Sequence, residues 1–207
     1  MYAKFFKPFF DFAAALILIL LTLLPMAVIA LAVLVTSPGH AFYCQKRVGK
    51  GKKLFTLIKF RTMKKGTPEV ATHLLQNPED RITGVGRFLR RFSLDELPQL
   101  FNILTFKMSF VGPRPALWNQ DDLVAERDRY GANDVRPGLT GWAQINGRDE
   151  LSIPAKAALD GEYVKRMGPG FDFKCLIGTV RAVFRAEGVV EGAAKETTEE
   201  KNSDNIG

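Results

Sequence analysis

FAAALILILLTLLPMAVIALAVLV, residues Phe12–Val35, runs for 24 residues without a charge, and Thr22 is its only hydroxyl. A membrane-spanning candidate needs about 18 apolar residues, so this run qualifies. The apolar core of a cleaved signal peptide is shorter, roughly 7–15 residues. Ser37-Pro38-Gly39-His40-Ala41 follows it and reads as a turn, not as a small-residue cleavage site. The run is therefore a retained membrane element. As one straight helix it would be about 36 Å long against a hydrocarbon core of about 30 Å, so a full crossing is possible. Two features favour a return to the same side. Pro25 lies near the middle, where it removes a backbone donor and clashes with the preceding turn. Both flanks are basic, Lys4 and Lys7 before and Lys46–Lys53 after, and basic flanks stay cytoplasmic. The expectation is a re-entrant helix-break-helix with Thr22 and Pro25 at its bend. There the Thr22 hydroxyl would bond a carbonyl freed by the break or deepen the bend. A single-pass helix kinked at Pro25 fits the same residues.

Working outward, Met1–Asp11 mixes lysines with aromatic rings, as at a headgroup region. On the other side lies a strongly basic body. The chain of 207 residues has net charge +7; Glu187–Gly207 carries −4, which leaves +11 on the rest. Such a body calls for an acidic partner: anionic lipid, a phosphate-bearing substrate or nucleic acid. Cys44 and Cys175 are far apart, which excludes a disulfide framework and any zinc-like spacing. Three parts are expected: an anchor over 1–40, a catalytic domain over 41–186 and an acidic, flexible tail over 187–207. The fold class is mainly α with a little β, a small cytoplasmic domain lying at the membrane interface.

Leu54–Met63 suits a strand, and Gly66–Glu79 a loop. Apolar residues of Val85–Leu104 recur at helical spacing. Asp121–Tyr130 reads as a short charged helix, and the Gly-rich Val135–Arg148 as a structured loop. A last helix, Phe171–Ala186, gathers Phe173, Leu176, Ile177, Val180, Val183 and Phe184 on one face. That face suits a membrane interface or a protein core equally.

The chemistry concentrates in Ser93-Leu94-Asp95-Glu96-Leu97-Pro98. Ser93 and Glu96 have capping-box spacing, with Asp95 in the first turn, unless the helix starts nearer Pro98. Adjacent carboxylates on a helix point about 100° apart, so they divide labour more readily than they share a proton. One can attack phosphorus or hold Mg²⁺ while the other ligates or moves a proton; the pair also reads as ordinary capping. Lys59 and Arg61 alternate on the expected strand. Arg114 sits between two prolines, and Arg136 and Arg148 bracket a loop carrying Trp142, Gln144 and Asn146. Arginine forks suit phosphate oxygens. Trp142 reads as a core aromatic or a base-stacking platform. No Gly-x-x-x-x-Gly-Lys loop, no Ser-His-Asp arrangement and no nucleic-acid-binding motif is present, so nucleic acid is not an expected partner.

Four segments together resemble one family: Lys59-Phe60-Arg61-Thr62-Met63, Arg91-Phe92-Ser93-Leu94-Asp95-Glu96-Leu97-Pro98-Gln99-Leu100-Phe101-Asn102, Met108-Ser109-Phe110-Val111-Gly112-Pro113-Arg114-Pro115 and Val135–Arg148. The chain is similar to the small monotopic phosphoglycosyl transferases, the bacterial sugar transferases that begin polyprenyl-linked glycan assembly. The resemblance implies transfer of a sugar-1-phosphate from a UDP-sugar to undecaprenyl phosphate with release of UMP. It implies Mg²⁺ and a covalent aspartyl intermediate at the cytoplasmic face of the bacterial inner membrane. It makes Asp95 the nucleophile and Glu96 its partner in metal or proton handling. Lys59, Arg61, Arg114, Arg136, Gln144, Asn146 and Arg148 become substrate-binding candidates. Membrane lipids are implied partners, and a homodimer is compatible with the pattern. The family's hairpin commonly bends at a Ser-Pro pair, where this chain has Leu24-Pro25. The competing reading is a single-pass basic anchor or interaction protein without catalysis.

Overall fold

A computed structural model describes residues 1–68, 78–147 and 151–185. The chain opens with a π-helical turn, Tyr2–Phe6, that runs directly into α1, Lys7–Thr36. Among the described residues this is the one helix long and apolar enough to cross a membrane. It is continuous through Pro25, so the expected separation into two half-helices is not seen. The Thr22 hydroxyl donates to the Leu18 carbonyl at 2.6 Å. That is not the carbonyl Pro25 leaves unpaired, which belongs to Leu21, four residues before it. The bond is the i−4 kind that bends helices.

One stripe of α1 is buried from end to end: Lys7, Asp11, Ala15, Ile19, Met26 and Val33. Ala15 and Ile19 pack with Leu57, Leu100, Ile103 and Met108. Met26 and Val33 pack with Phe60 and Leu89. The opposite side, including Leu20, Leu21, Leu24, Val28 and Leu31, is exposed. At the start of the helix Lys7 donates to Asp172 at 2.7 Å, and Asp11 accepts from the Ser109 hydroxyl at 2.7 Å. The start of α1 is thus tied to the rest of the chain by buried polar contacts.

After α1 comes an antiparallel hairpin, β1 (Phe42–Val48) and β2 (Leu54–Phe60), in which Tyr43 opposes Lys59 and Arg47 opposes Phe55. The strand expected over Leu54–Met63 stops at Phe60. A short α2 (Pro78–Arg81) precedes α3 (Gly84–Arg91), whose start is capped by the Thr83 hydroxyl accepting from Gly86 N–H at 2.9 Å. The helical stretch expected through Leu104 is divided. A 3₁₀ turn at Leu94–Glu96 separates α3 from α4 (Gln99–Leu104). The capping box is overturned here: Ser93 has φ +54° and its side chain caps nothing. A left-handed residue reverses the chain, and α4 instead begins behind Pro98, whose fixed φ suits a helix start.

β3 (Ser109–Val111) and β4 (Gly138–Thr140) pair in parallel, which brings the two Gly/Pro-rich motifs side by side. The approach is so close that a Cβ on Gly138 or Gly141 would collide with the Gly112 backbone. Between them lies α5 (Asp121–Asp128); after β4 come α6 (Trp142–Ile145), α7 (Ile153–Arg166) and α8 (Pro169–Arg185). A buried Arg127–Asp160 pair at 2.5 Å joins α5 to α7. On α8, Phe171, Asp172 and Cys175 face inward. Phe173, Leu176, Ile177 and Val180 are exposed, Phe173 by 64%. These four residues of the apolar face expected on this helix therefore point outward, away from the core. Arg148 and the tail 187–207 lie outside the described residues.

Candidate active site

Asp95 occupies the 3₁₀ turn between α3 and α4 and is 7% exposed. The turn arises because Ser93 reverses the chain and Pro98 restarts it. Burial raises the Asp95 pKa, and the neighbouring Glu96 charge raises it further. Lys59 from β2 and Arg90 from the end of α3 oppose that rise. Lys59 is half-buried, its ammonium 5.4 Å from the Tyr43 ring centroid. Burial pushes it down to about 8, with Arg47 and Arg90 adding to the fall and Asp95 and Glu96 resisting it. A desolvated carboxylate flanked by cations is what a carboxylate nucleophile facing a phosphate requires.

Glu96 lies 3.5 Å from an Arg114 guanidinium nitrogen. The Pro113–Pro115 turn presents Arg114, and β1 braces that turn: Arg47 donates to the Pro115 carbonyl at 3.0 Å and to Gln45 Oε1 at 2.7 Å. Four elements, β1, β2, the 3₁₀ turn and the turn after β3, thereby supply Arg47, Lys59, Asp95–Glu96 and Arg114 to one region. Arg90, Arg47, Gln45 and Tyr43 escaped the sequence reading. Phe42–Val48 shows no polar-apolar alternation, only an aromatic start and a closing valine, so the strand residues had no periodic signal to find them by. Arg90 is a helix-terminal arginine with no local signature; its Nε donates to the Thr62 hydroxyl at 2.9 Å.

The other expected residues that are described make contacts outside this cluster, and Arg148 lies outside the described residues. Arg61 lies beyond the end of β2 and donates to the Ser37 and Pro38 carbonyls at 2.6 and 3.0 Å, clamping the exit of α1. Arg136 lies over the Phe106 ring. Asn146 donates to the Trp142 carbonyl at 2.7 Å, within its own turn. Trp142 donates to Glu162 and packs on Phe171 with ring centroids 4.9 Å apart, so its indole is a core element. Gln144 donates to the Leu139 carbonyl at 3.2 Å, while its buried Oε1 has no partner among the described residues.

A divalent ion of the Mg²⁺ type takes one or two protein carboxylates and completes its shell with phosphate oxygens and water. Among the described residues no group of three or more His, Cys, Asp or Glu gathers to cage a metal. The adjacent Asp95 and Glu96 fit an ion shared with a diphosphate and do not fit a resident metal centre.

The bacterial sugar transferase model matches residues 2–186, nearly the whole described chain. The chain belongs to the bacterial sugar transferase family. Among relatives, the sugar transferase EpsL of Bacillus subtilis (strain 168) is 42% identical over 187 residues, covering 88% of this chain and 89% of the relative. The exopolysaccharide production protein ExoY of Rhizobium meliloti (strain 1021) is 36% identical, covering 88% and 87%. The UDP-glucose:undecaprenyl-phosphate glucose-1-phosphate transferase of Escherichia coli (strain K12) is 40% identical over 184 residues, 82% of this chain but 38% of the relative. This sugar transferase thus spans most of two relatives and well under half of the longer one. Membership makes it an enzyme of the transferase class and removes the non-catalytic anchor as a reading.

Proposed function

We propose that this enzyme transfers a sugar-1-phosphate from a UDP-sugar to a polyprenyl phosphate, of the undecaprenyl type, with release of UMP. The observation that carries the reading is Asp95: a buried carboxylate whose charge Lys59 and Arg90 partly offset, in a chain of this family. Names among the relatives supply the acceptor class, undecaprenyl-phosphate glucose and galactose phosphotransferases at 37% and 36% identity.

In the first step an Asp95 oxygen attacks the phosphorus that bears the sugar. The bond from that phosphorus to the bridging oxygen breaks, and UMP leaves with the electron pair. In the second step an oxygen of the polyprenyl phosphate attacks the same phosphorus. The Asp95 carboxylate leaves, and the product is a polyprenyl diphosphate sugar. Lys59 and Arg114 balance the diphosphate charge that would otherwise repel Asp95. Asp95 and Glu96 would hold Mg²⁺ against the substrate, where the ion supplies charge neutralisation for the leaving phosphate. Glu96 and Arg114 orient one another, and Arg47 with Gln45 keeps the Arg114 turn in place.

The acceptor is a lipid, so the reaction belongs at a membrane surface. Support for a re-entrant α1 comes from its two ends, which both bond to the basic body, and from the basic flanks. A helix entering and returning leaves both ends and Asp95 on the cytoplasmic face, where nucleotide sugars are made. The exposed apolar side of α8 suits the same interface.

The test is direct. Full-length protein in detergent, given a labelled UDP-sugar, Mg²⁺ and undecaprenyl phosphate, is expected to release UMP and form a labelled lipid. Free sugar phosphate without a lipid product would replace the transferase reading with a hydrolase.

A further inference from the structure

Phe106, in the turn between α4 and β3, is held in a conformation its side chain does not favour. Its φ is +60°, which a bulky residue adopts only where its surroundings impose it. The ring is 47% exposed. It stacks on Phe12 of α1, with centroids 5.6 Å apart and planes 10° from parallel. The Arg136 guanidinium lies over the same ring, 5.2 Å from its centroid. Among the described residues the Arg136 side chain makes no hydrogen bond and no ion pair. A guanidinium placed over a ring keeps its N–H groups for an oxyanion.

The position of this stack says which oxyanion. Phe12 is the first residue of the apolar run. Phe5, Phe6, Phe9 and Phe10 are exposed just before it; Lys4, beside Phe5, and Lys107, beside Phe106, are exposed as well. Rings and cations at the end of an apolar helix mark headgroup depth. Leu16 and Leu20, four and eight residues on, fall on the same side of α1 as Phe12 and are exposed, so they continue the seat into an apolar track. The reacting centre lies further along α1: Leu94, next to Asp95, packs against the cluster that holds Met26 and Val33, and Leu97 bridges that cluster to the one holding Ala15 and Ile19. Met26 is about 20 Å along the helix from Phe12.

We propose that Phe12, Phe106, Arg136 and Lys107 seat the phosphate of an anionic membrane phospholipid, at a site separate from the reacting centre. The acyl chains lie along Leu16 and Leu20. The strained Phe106 keeps its ring between the anchor helix and the headgroup. The inference rests on the reading of α1 as a membrane element and does not need the catalytic role of Asp95.

The experiment counts lipids retained by the full-length protein in native mass spectrometry, after addition of dioleoyl phosphatidylglycerol, dioleoyl phosphatidylcholine, undecaprenyl phosphate or inorganic phosphate. Wild type is expected to retain one more phosphatidylglycerol than Arg136→Gln, whose affinity falls about fivefold for the lost charge. Phosphatidylcholine is not expected to be retained. Phe106→Gly removes the ring yet accepts φ +60°, so it is expected to fold and to lose the lipid. Asp95→Asn is expected to keep the lipid while losing UMP release, which separates this inference from the catalytic one. Equal retention by wild type and Arg136→Gln overturns the proposal. So does a seat that prefers undecaprenyl phosphate, or one that inorganic phosphate empties.

Discussion

Lys59 and Asp95 act on one another's charge from two separate elements, β2 and the 3₁₀ turn behind α3. Each is displaced from its ordinary pKa chiefly by burial, and each limits the other's displacement. The pair is the electrostatic centre of the site, and its pH behaviour follows from it.

Attack on phosphorus needs an ionised Asp95 and is helped by a protonated Lys59. The raised Asp95 pKa, caused chiefly by burial, moves the acid limb of UMP release upward from where an ordinary aspartate would put it. The Lys59 value of about 8 ends the plateau near that pH. In Lys59→Arg the guanidinium stays protonated, so the alkaline limb is expected to move upward. An unchanged limb in that variant would remove Lys59 from the profile. Stability has its own sign. Between about 8 and 10.5 the unfolded chain holds the Lys59 proton and the folded chain does not. The contribution of this group to stability therefore rises with pH through that window. Thermal unfolding of wild type and Lys59→Met across the window checks it.

Arg61 is expected to matter for the anchor more than for binding the sugar nucleotide. Arg61→Ala leaves the Ser37 and Pro38 carbonyls without their donor. Charged donors of this kind contribute about 1.5–3 kcal/mol each. The variant is expected to melt lower in detergent while its KM for the UDP-sugar holds. A raised KM with an unchanged melting temperature would return Arg61 to the substrate site.

The course of α1 can be read with native and introduced thiols. Cys44 is exposed and Cys175 is buried, its thiol pushed up to about 11, so Cys44 is the reactive one. An Ala3→Cys variant adds an exposed thiol before the apolar run. A re-entrant helix puts both on the cytoplasmic side, so an impermeant maleimide should reach neither in intact cells and both in inverted vesicles. Labelling of position 3 alone in intact cells would make α1 a single-pass helix.

Much of this was legible in the residues themselves. The length and neutrality of Phe12–Val35 gave α1, because a run that long has few other solutions. The adjacency of Asp95 and Glu96 and the strand placing Lys59 were equally readable. What was hidden depends on tertiary context. Ser93 looked like an N-cap, yet packing of Leu89 and Leu94 around Met26 needs a chain reversal there, and the serine takes a left-handed conformation instead. Arg61 lay in register with Lys59 in sequence, but β2 ends at Phe60 and the next side chain turns to the α1 exit. Helix α7 escaped notice because its buried positions include Ala157, Asp160 and Gly161, which carry no apolar stripe. Its Ser152 cap and Pro154 were the usable signals.

The covalent role of Asp95 is the point on which the account stands. Full-length protein incubated with UDP-sugar and Mg²⁺ but no lipid acceptor, followed by intact-mass and peptide analysis, reads it directly. The account predicts a mass increase of one sugar phosphate on the peptide containing Asp95, discharged by undecaprenyl phosphate. In Asp95→Asn the adduct should be absent and turnover lower by on the order of 10³-fold or more. An adduct that persists in Asp95→Asn, or full turnover by that variant, would contradict it.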